Sequence, residues 1–328
     1  MPLAALKRVA TSFLTPRNGS PSSAAGPESL FPVVTVEEDG EDCNHDCDAC
    51  PGYGRAFDKI GVETSDKLWG QVKKYSTHVV VATGENDWIR DVEEIKGSVM
   101  RALANEKASL ESGRMMISAS DQPVPEAYHE AKDGEEKPTT VLLLPAFVVV
   151  EEVKPSDAQT IITEYVNKGP TTDTPLETAP ADKSVEGAAE ETTPAFTAFT
   201  GPLKSHSYPH SFLILICSHR HRDARCGISA PILRKEFEKH LRPLGLWRDH
   251  TDTRPGGASV VFINHVGGHK YSANVIIYRK EDGQGMWLAR VAPKHVEGIV
   301  KHTLAKGRVV HPDMVRGGFN RKEGLASW

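Results

Sequence analysis

The chain lacks any run of about eighteen consecutive apolar residues, so no segment is suited to cross a bilayer as a helix. Its longest apolar stretch, Val141 to Val150, contains Pro145 and suits a buried strand better. An apolar core of the kind that marks a secretory signal is also missing from the first residues. Excess positive charge is absent. The 39 Lys and Arg stand against 44 Asp and Glu, a formal net charge of -5, which argues against a general nucleic-acid binder. Cysteine is scarce and its count of 5 is odd. Without a sign of secretion, a disulfide framework is not the expected basis of the fold, and metal or redox chemistry is the better expectation for the thiols.

What is present fits two domains. A length of 328 residues is more than one ordinary domain, and 39% hydrophobic with 25% charged residues is globular with some unordered stretches. Residues 1–40, rich in Ser, Pro, Gly and Ala and then acidic, are expected to be a disordered extension. Within them Lys7, Arg8 and Arg17 accompany Leu3, Leu6, Val9 and Phe13 at near-helical spacing, a pattern shared by basic tails and mitochondrial presequences. Residues 41–169 read as a smaller α/β domain. It has a strand in "HVVVATG", a helix over Asp91–Leu110, strands in "RMMISAS" and "TTVLLLPAFVVV", and a helix capped by Ser156 and stopped at Gly169. Residues 170–198 carry Pro170, Pro175, Pro180 and Pro194 and too little apolar surface to offset their ordering entropy, so a disordered linker is expected.

Residues 199–328 read as a second domain. A strand, "SFLILIC", ends at Cys217, and a helix follows with Ser229 as N-cap, Pro231 in its first turn and Leu233, Phe237 and Leu241 as its apolar stripe. The strand "SVVFIN", the turn "HVGGH", the strands "SANVIIYR" and "GMWLARV", and a helix from Pro293 complete it. The fold class is α/β (α+β). The order β-α-β-β-α is thioredoxin-like, and the N-terminal domain is expected to be thioredoxin-like too.

Four ligand-type side chains fall at strand ends. Cys217 closes a core strand and Cys226 opens the next helix across the polar loop "SHRHRDAR", while His265 and His269 flank a Val-Gly-Gly turn. Gly267 and Gly268 let that turn adopt positive φ and approach a bulky centre closely. Two thiols and two imidazoles suit a tetrahedral zinc, although the eight-residue gap between the cysteines exceeds the usual finger spacing. They equally suit a [2Fe–2S] cluster, although a Rieske centre would interleave one Cys and one His in each motif.

The pattern C-x8-C-G, followed by "HVGGHKYSANVIIY" and "WLARVAP", resembles the sucrase/ferredoxin-like family of fungi and plants, in particular its fungal actin patches distal and altered inheritance of mitochondria group. The resemblance implies a C-terminal thioredoxin-like ferredoxin domain. It also implies a non-Rieske [2Fe–2S] cluster held by Cys217, Cys226, His265 and His269. Such a centre passes one electron at a time and needs no substrate pocket, which implies an electron carrier and not an enzyme with its own substrate. Neutral imidazoles place its potential above that of all-cysteine plant-type ferredoxins, and their free nitrogens couple reduction to protonation.

The remaining features leave alternatives open. Cys43, Cys47 and Cys50 form "CNHDCDAC", a possible second redox or metal site. Cys47 and Cys50 have the spacing of a thiol–disulfide oxidoreductase, but Asp42, Asp46 and Asp48 should raise their thiol pKa values. A zinc-stabilised binding module is the other competing class. His219 and His221 are expected to be solvated or to support the ligands. With Arg220, Arg222 and Arg225 they make the Cys loop basic, suited to an acidic redox partner or to offsetting the charge of a reduced centre. The closing Ser327-Trp328 resembles the C-terminal signal by which some cytosolic iron–sulfur proteins recruit their assembly machinery. On that resemblance Trp328 is expected to be exposed and the protein cytoplasmic, with the mitochondrion as the alternative.

Overall fold

A computed structural model of the chain describes residues 22–41, 46, 57, 59–132, 135–176 and 201–328. Its strands, in chain order, are β1 (Ser22–Ser23), β2 (Thr77–Ala82), β3 (Met115–Ser120), β4 (Thr139–Leu144), β5 (Val148–Val153), β6 (Ser205–Ser207), β7 (Phe212–Cys217), β8 (Trp247–Arg248), β9 (Ala258–Ile263), β10 (Val275–Arg279), β11 (Gln284–Leu288), β12 (Val315–Asn320) and β13 (Leu325–Ala326). All belong to one mixed sheet of order β1-β13-β12-β11-β10-β7-β9-β3-β2-β4-β5-β6, with β8 beside β9.

The central runs are strands because both of their faces are buried and the side chains alternate between two cores. In the N-terminal half Val79, Val81, Val141 and Leu143 pack with the helical residues Val99, Leu103, Ile161 and Tyr165, while Val80, Leu142 and Leu144 point the other way. In the C-terminal half Ile214, Ile216, Val260 and Val275 pack with Leu233 and Phe237 of the Ala224–Leu241 helix and with Val296 and Val300, while Leu213, Leu215, Val261 and Ile276 point away.

The faces turned away from the helices meet each other. Val80, Leu142, Leu144 and Phe147 share a single core with Leu213, Leu215, Ile276, Tyr278 and Trp287. The sheet therefore folds over on itself. His78 of β2 and Tyr278 of β10 are four strand spacings apart, about 19 Å in a flat sheet, yet the His78 Nδ1 lies 2.9 Å from the Tyr278 hydroxyl. The fold-over sits where β3 meets β9, through the pair Ser120 and Ile263. The layers run helices, sheet, sheet, helices. Each half repeats one strand pattern: β3-β2-β4-β5 and β9-β7-β10-β11, with the first two strands parallel and the other pairings antiparallel.

Several expectations change. The strands of both halves are parts of one sheet around a shared core. β6, expected in the second domain, pairs with β5 of the first half. Thr172, expected in the linker, is buried, and its hydroxyl donates to the Tyr75 carbonyl at 2.7 Å. Residues 177–198 lie outside the described residues, as do residues 1–21. Residues 22–40, part of the extension expected to be disordered, are folded: Leu30 and Phe31 are 2% and 0% exposed, and β1 pairs with β13. Leu30 and Phe31, with the buried Ala24 and Val34, supply the apolar surface that holds it. The helix expected over Asp91–Leu110 is split, because Gly97 turns the chain at φ 73° and Ser98 caps a new helix at Val99–Asn105. At the later helix Asp157, not Ser156, receives the capping bond, from the Lys154 amide at 2.8 Å.

Candidate metal centre

β7 ends at Cys217, and residues 218–223 cross the end of the sheet. Asp223 then caps the helix, its carboxylate accepting the Arg225 amide at 3.0 Å. The helix therefore starts at Ala224, so Cys226 lies inside its first turn and Ser229 is not its cap. The Ser229 hydroxyl donates back to the Cys226 carbonyl at 3.3 Å, and Pro231, a residue that favours first turns, is inside the helix.

β9 runs parallel beside β7, so the loops after both strands leave the sheet side by side. Gly267 and Gly268, at φ 83° and 72°, turn the second loop back, and His269 opens a short turn of helix. This brings the His265 and His269 rings to 5.2 Å between centroids. Cys217 and Cys226 are both free and buried. They share a hydrogen bond that lowers the Cys217 thiol well below its ordinary pKa and raises that of Cys226, with burial adding to the second effect and His265 to the first. The Nδ1 of His265 is buried with no hydrogen-bond partner. Such an orphaned group costs about 1–3 kcal/mol, and a bond to a metal would satisfy it. His269 is more open, its side chain 46% exposed and 3.9 Å from the Asp223 carboxylate.

The four sequence-predicted ligands therefore converge, as two neighbouring pairs. Four donors around one zinc would lie within about 4 Å of one another. Among the described residues no three donor atoms of this set lie within 4.8 Å of each other. Two thiols, two imidazoles and an orphaned ring nitrogen are a donor set that fits a metal centre.

The residues that hold these loops come largely from the other half, which sequence spacing does not reveal. His219, expected to be solvated or supporting, is 1% exposed. Its Nδ1 accepts the His265 amide at 3.3 Å, and its Nε2 faces the Trp88 and Ile89 carbonyls at 3.1 and 3.0 Å. Asp87 accepts the amides of Arg220 and His221 at 2.8 and 3.2 Å. Much of the basic character expected of the loop is paired internally: Arg222 with Asp91, His221 with Asp87 and Arg225 with Asp223. Asn274 donates to the Gly268 carbonyl at 2.9 Å from beneath the turn.

A separate trio, Asp46, His295 and His311, gathers near the Pro293–Gly298 helix. His295 Nδ1 accepts the Ala292 amide at 3.0 Å, and Lys294 already pairs with Asp46 at 2.7 Å. The trio reads as an ion-pair fastening and not as a metal site. Cys43, Cys47 and Cys50 lie outside the described residues. Trp328, expected to be exposed, packs on Tyr75 and Phe319 at 5.3 and 6.3 Å between ring centroids, because those rings offer an apolar shelf at the end of the shared core.

No described helix is long and apolar enough to cross a membrane. Comparison with known proteins bears on the whole arrangement. The chain is 28% identical over 300 residues to "Actin patches distal protein 1" of Saccharomyces cerevisiae, covering 86% of this chain and 87% of that protein. It is 39% identical over 108 residues to "Altered inheritance of mitochondria protein 32" of Clavispora lusitaniae, and 38% over 108 residues to the protein of that name from Meyerozyma guilliermondii. Those two matches cover 33% of this chain and 35% of either relative. No solved structure matches. The sucrase/ferredoxin-like family model matches residues 68–317, from just before the first strand of the N-terminal half through the Cys and His loops to β12, and by that match the chain belongs to this family.

Proposed function

We propose that the protein is a one-electron carrier whose [2Fe–2S] cluster is bound by Cys217, Cys226, His265 and His269. The observation that carries this reading is the convergence of two thiols and two imidazoles, one ring nitrogen buried without a partner. When bound, the cluster supplies reversible one-electron chemistry at a potential raised by its neutral ligands. The chain's own part is to exclude water from the two thiols, hold the imidazoles through the Val-Gly-Gly turn, and leave His269 open toward solvent and a redox partner. Reading both halves as thioredoxin-like is supported by their shared strand pattern. The proposal places the carrier in the cytosol, and fractionation that finds the native chain sealed inside mitochondria would overturn that part.

The test is purification without oxygen. Protein so isolated is expected to be reddish-brown, with about two irons and about two sulfides per chain. Cys217→Ala and Cys226→Ala are expected to abolish the colour. A colourless protein carrying one zinc would sink the reading.

A further inference from the structure

Behind the His265–His269 turn lies a guanidinium that the ligand set does not require. Arg316 of β12 is 4% exposed. Its Nη1 donates to the Gly267 carbonyl at 3.2 Å and to the Asn274 side-chain oxygen at 2.7 Å, and its Nη2 donates to the Gln71 carbonyl at 3.0 Å. Its Nε is buried without a partner. These acceptors are all neutral, and among the described residues no carboxylate pairs with this side chain. The Tyr271 and Trp287 rings flank it at 5.8 and 5.7 Å. Contact with the turn is tight: a Cβ on Gly268 would stand 2.6 Å from Nη1. Burial lowers the guanidinium pKa, and the Tyr271 and Cys217 side chains oppose that shift. A buried cation without a carboxylate is costly, so a nearby negative charge of another kind is the expected complement.

We propose that Arg316 is a positioning residue that sets the charge balance of the Cys217, Cys226, His265 and His269 centre, favouring its reduced state. The proposal rests on the electron-carrier reading. Two ferric ions, two sulfides, two thiolates and two neutral imidazoles sum to zero, and one added electron makes the centre negative. A fixed buried positive charge beside the turn stabilises that negative state and leaves the neutral one nearly unaffected.

The experiment is a spectroelectrochemical titration of the cluster-loaded full chain at one fixed pH, with iron and sulfide counted in each sample. Arg316→Gln is expected to lower the reduced-to-oxidised ratio at a fixed applied potential by about tenfold, a shift of about 59 mV for one electron. Arg316→Lys, which keeps the charge, is expected to stay within about threefold of the unsubstituted protein. Asn274→Asp sets a carboxylate against the guanidinium without removing it and is expected to shift the ratio in the same direction as Arg316→Gln. If Arg316→Gln fails to take up the cluster, Asn274→Asp decides. Fully loaded Arg316→Gln and Asn274→Asp with unchanged ratios would overturn the role of Arg316 and leave the electron carrier standing. Absence of a cluster from the unsubstituted protein would remove both.

Discussion

His78 is an imidazole sealed between the two sheet layers, its ring nitrogens 2.9 Å from the Tyr278 and Ser118 hydroxyls. Burial pushes its pKa from 6.5 down to about 3. Above the higher value both folded and unfolded chains hold a neutral ring, and it adds no pH dependence. Below it the unfolded chain takes a proton that the folded chain refuses, so stability falls as pH drops toward about 3. A loss of about 2–3 kcal/mol from this residue is expected between about pH 6.5 and 4.5. Urea midpoints at the two pH values measure it, and in His78→Gln the slope should flatten. His219 offers a second test. His219→Ala leaves the His265 amide and two carbonyls without their buried partner, and a stability loss of about 1–3 kcal/mol is expected. An unchanged urea midpoint would show that this ring does not brace the loop.

The His265–His269 turn works because two consecutive residues take positive φ, a conformation that costs a side-chain-bearing residue about 1–2 kcal/mol. The two glycines differ in what lies beside them. A Cβ at Gly267 would meet nothing within 4 Å, whereas one at Gly268 would press on the Arg316 guanidinium. Gly268→Ala is therefore expected to cost at least about 1 kcal/mol more than Gly267→Ala. Equal losses in thermal or urea unfolding would mean that Arg316 yields freely and does not fix the turn. Turn chemistry of this kind was legible from the Gly-Gly pair itself. The start of the Ala224–Leu241 helix was not, because Ser229 and Pro231 form a plausible cap locally, and only the position of Asp223 at the sheet end decides between them.

Across the whole molecule, side chains of both halves share one core. Phe147 and Tyr278 come from different halves and pack ring to ring, at 6.5 Å between centroids. Equilibrium unfolding is expected to show a single transition, coincident by circular dichroism and tryptophan fluorescence. Phe147→Ala is expected to lower stability by about 3–5 kcal/mol without separating the transition into two. Two resolved transitions would mean that each half, with its own helix-covered core, is stable alone.

The sequence by itself determined the strands, whose apolar runs are buried on both faces in any α/β arrangement, and the four ligand-type residues, whose strand-end positions and glycine turn are local features. It also carried the family, through motifs that need no fold to be recognised. Only the tertiary structure decided that the sheet folds over on itself, that residues 22–41 are anchored by Leu30 and Phe31, and that Trp328 lies against Tyr75. It alone brought Asp87, Trp88 and Arg316 to the Cys and His loops. Those placements depend on pairing between residues more than forty positions apart, many of them on opposite ends of the chain. Periodicity and spacing report a residue's immediate neighbours, and they carry no information about which distant face it meets.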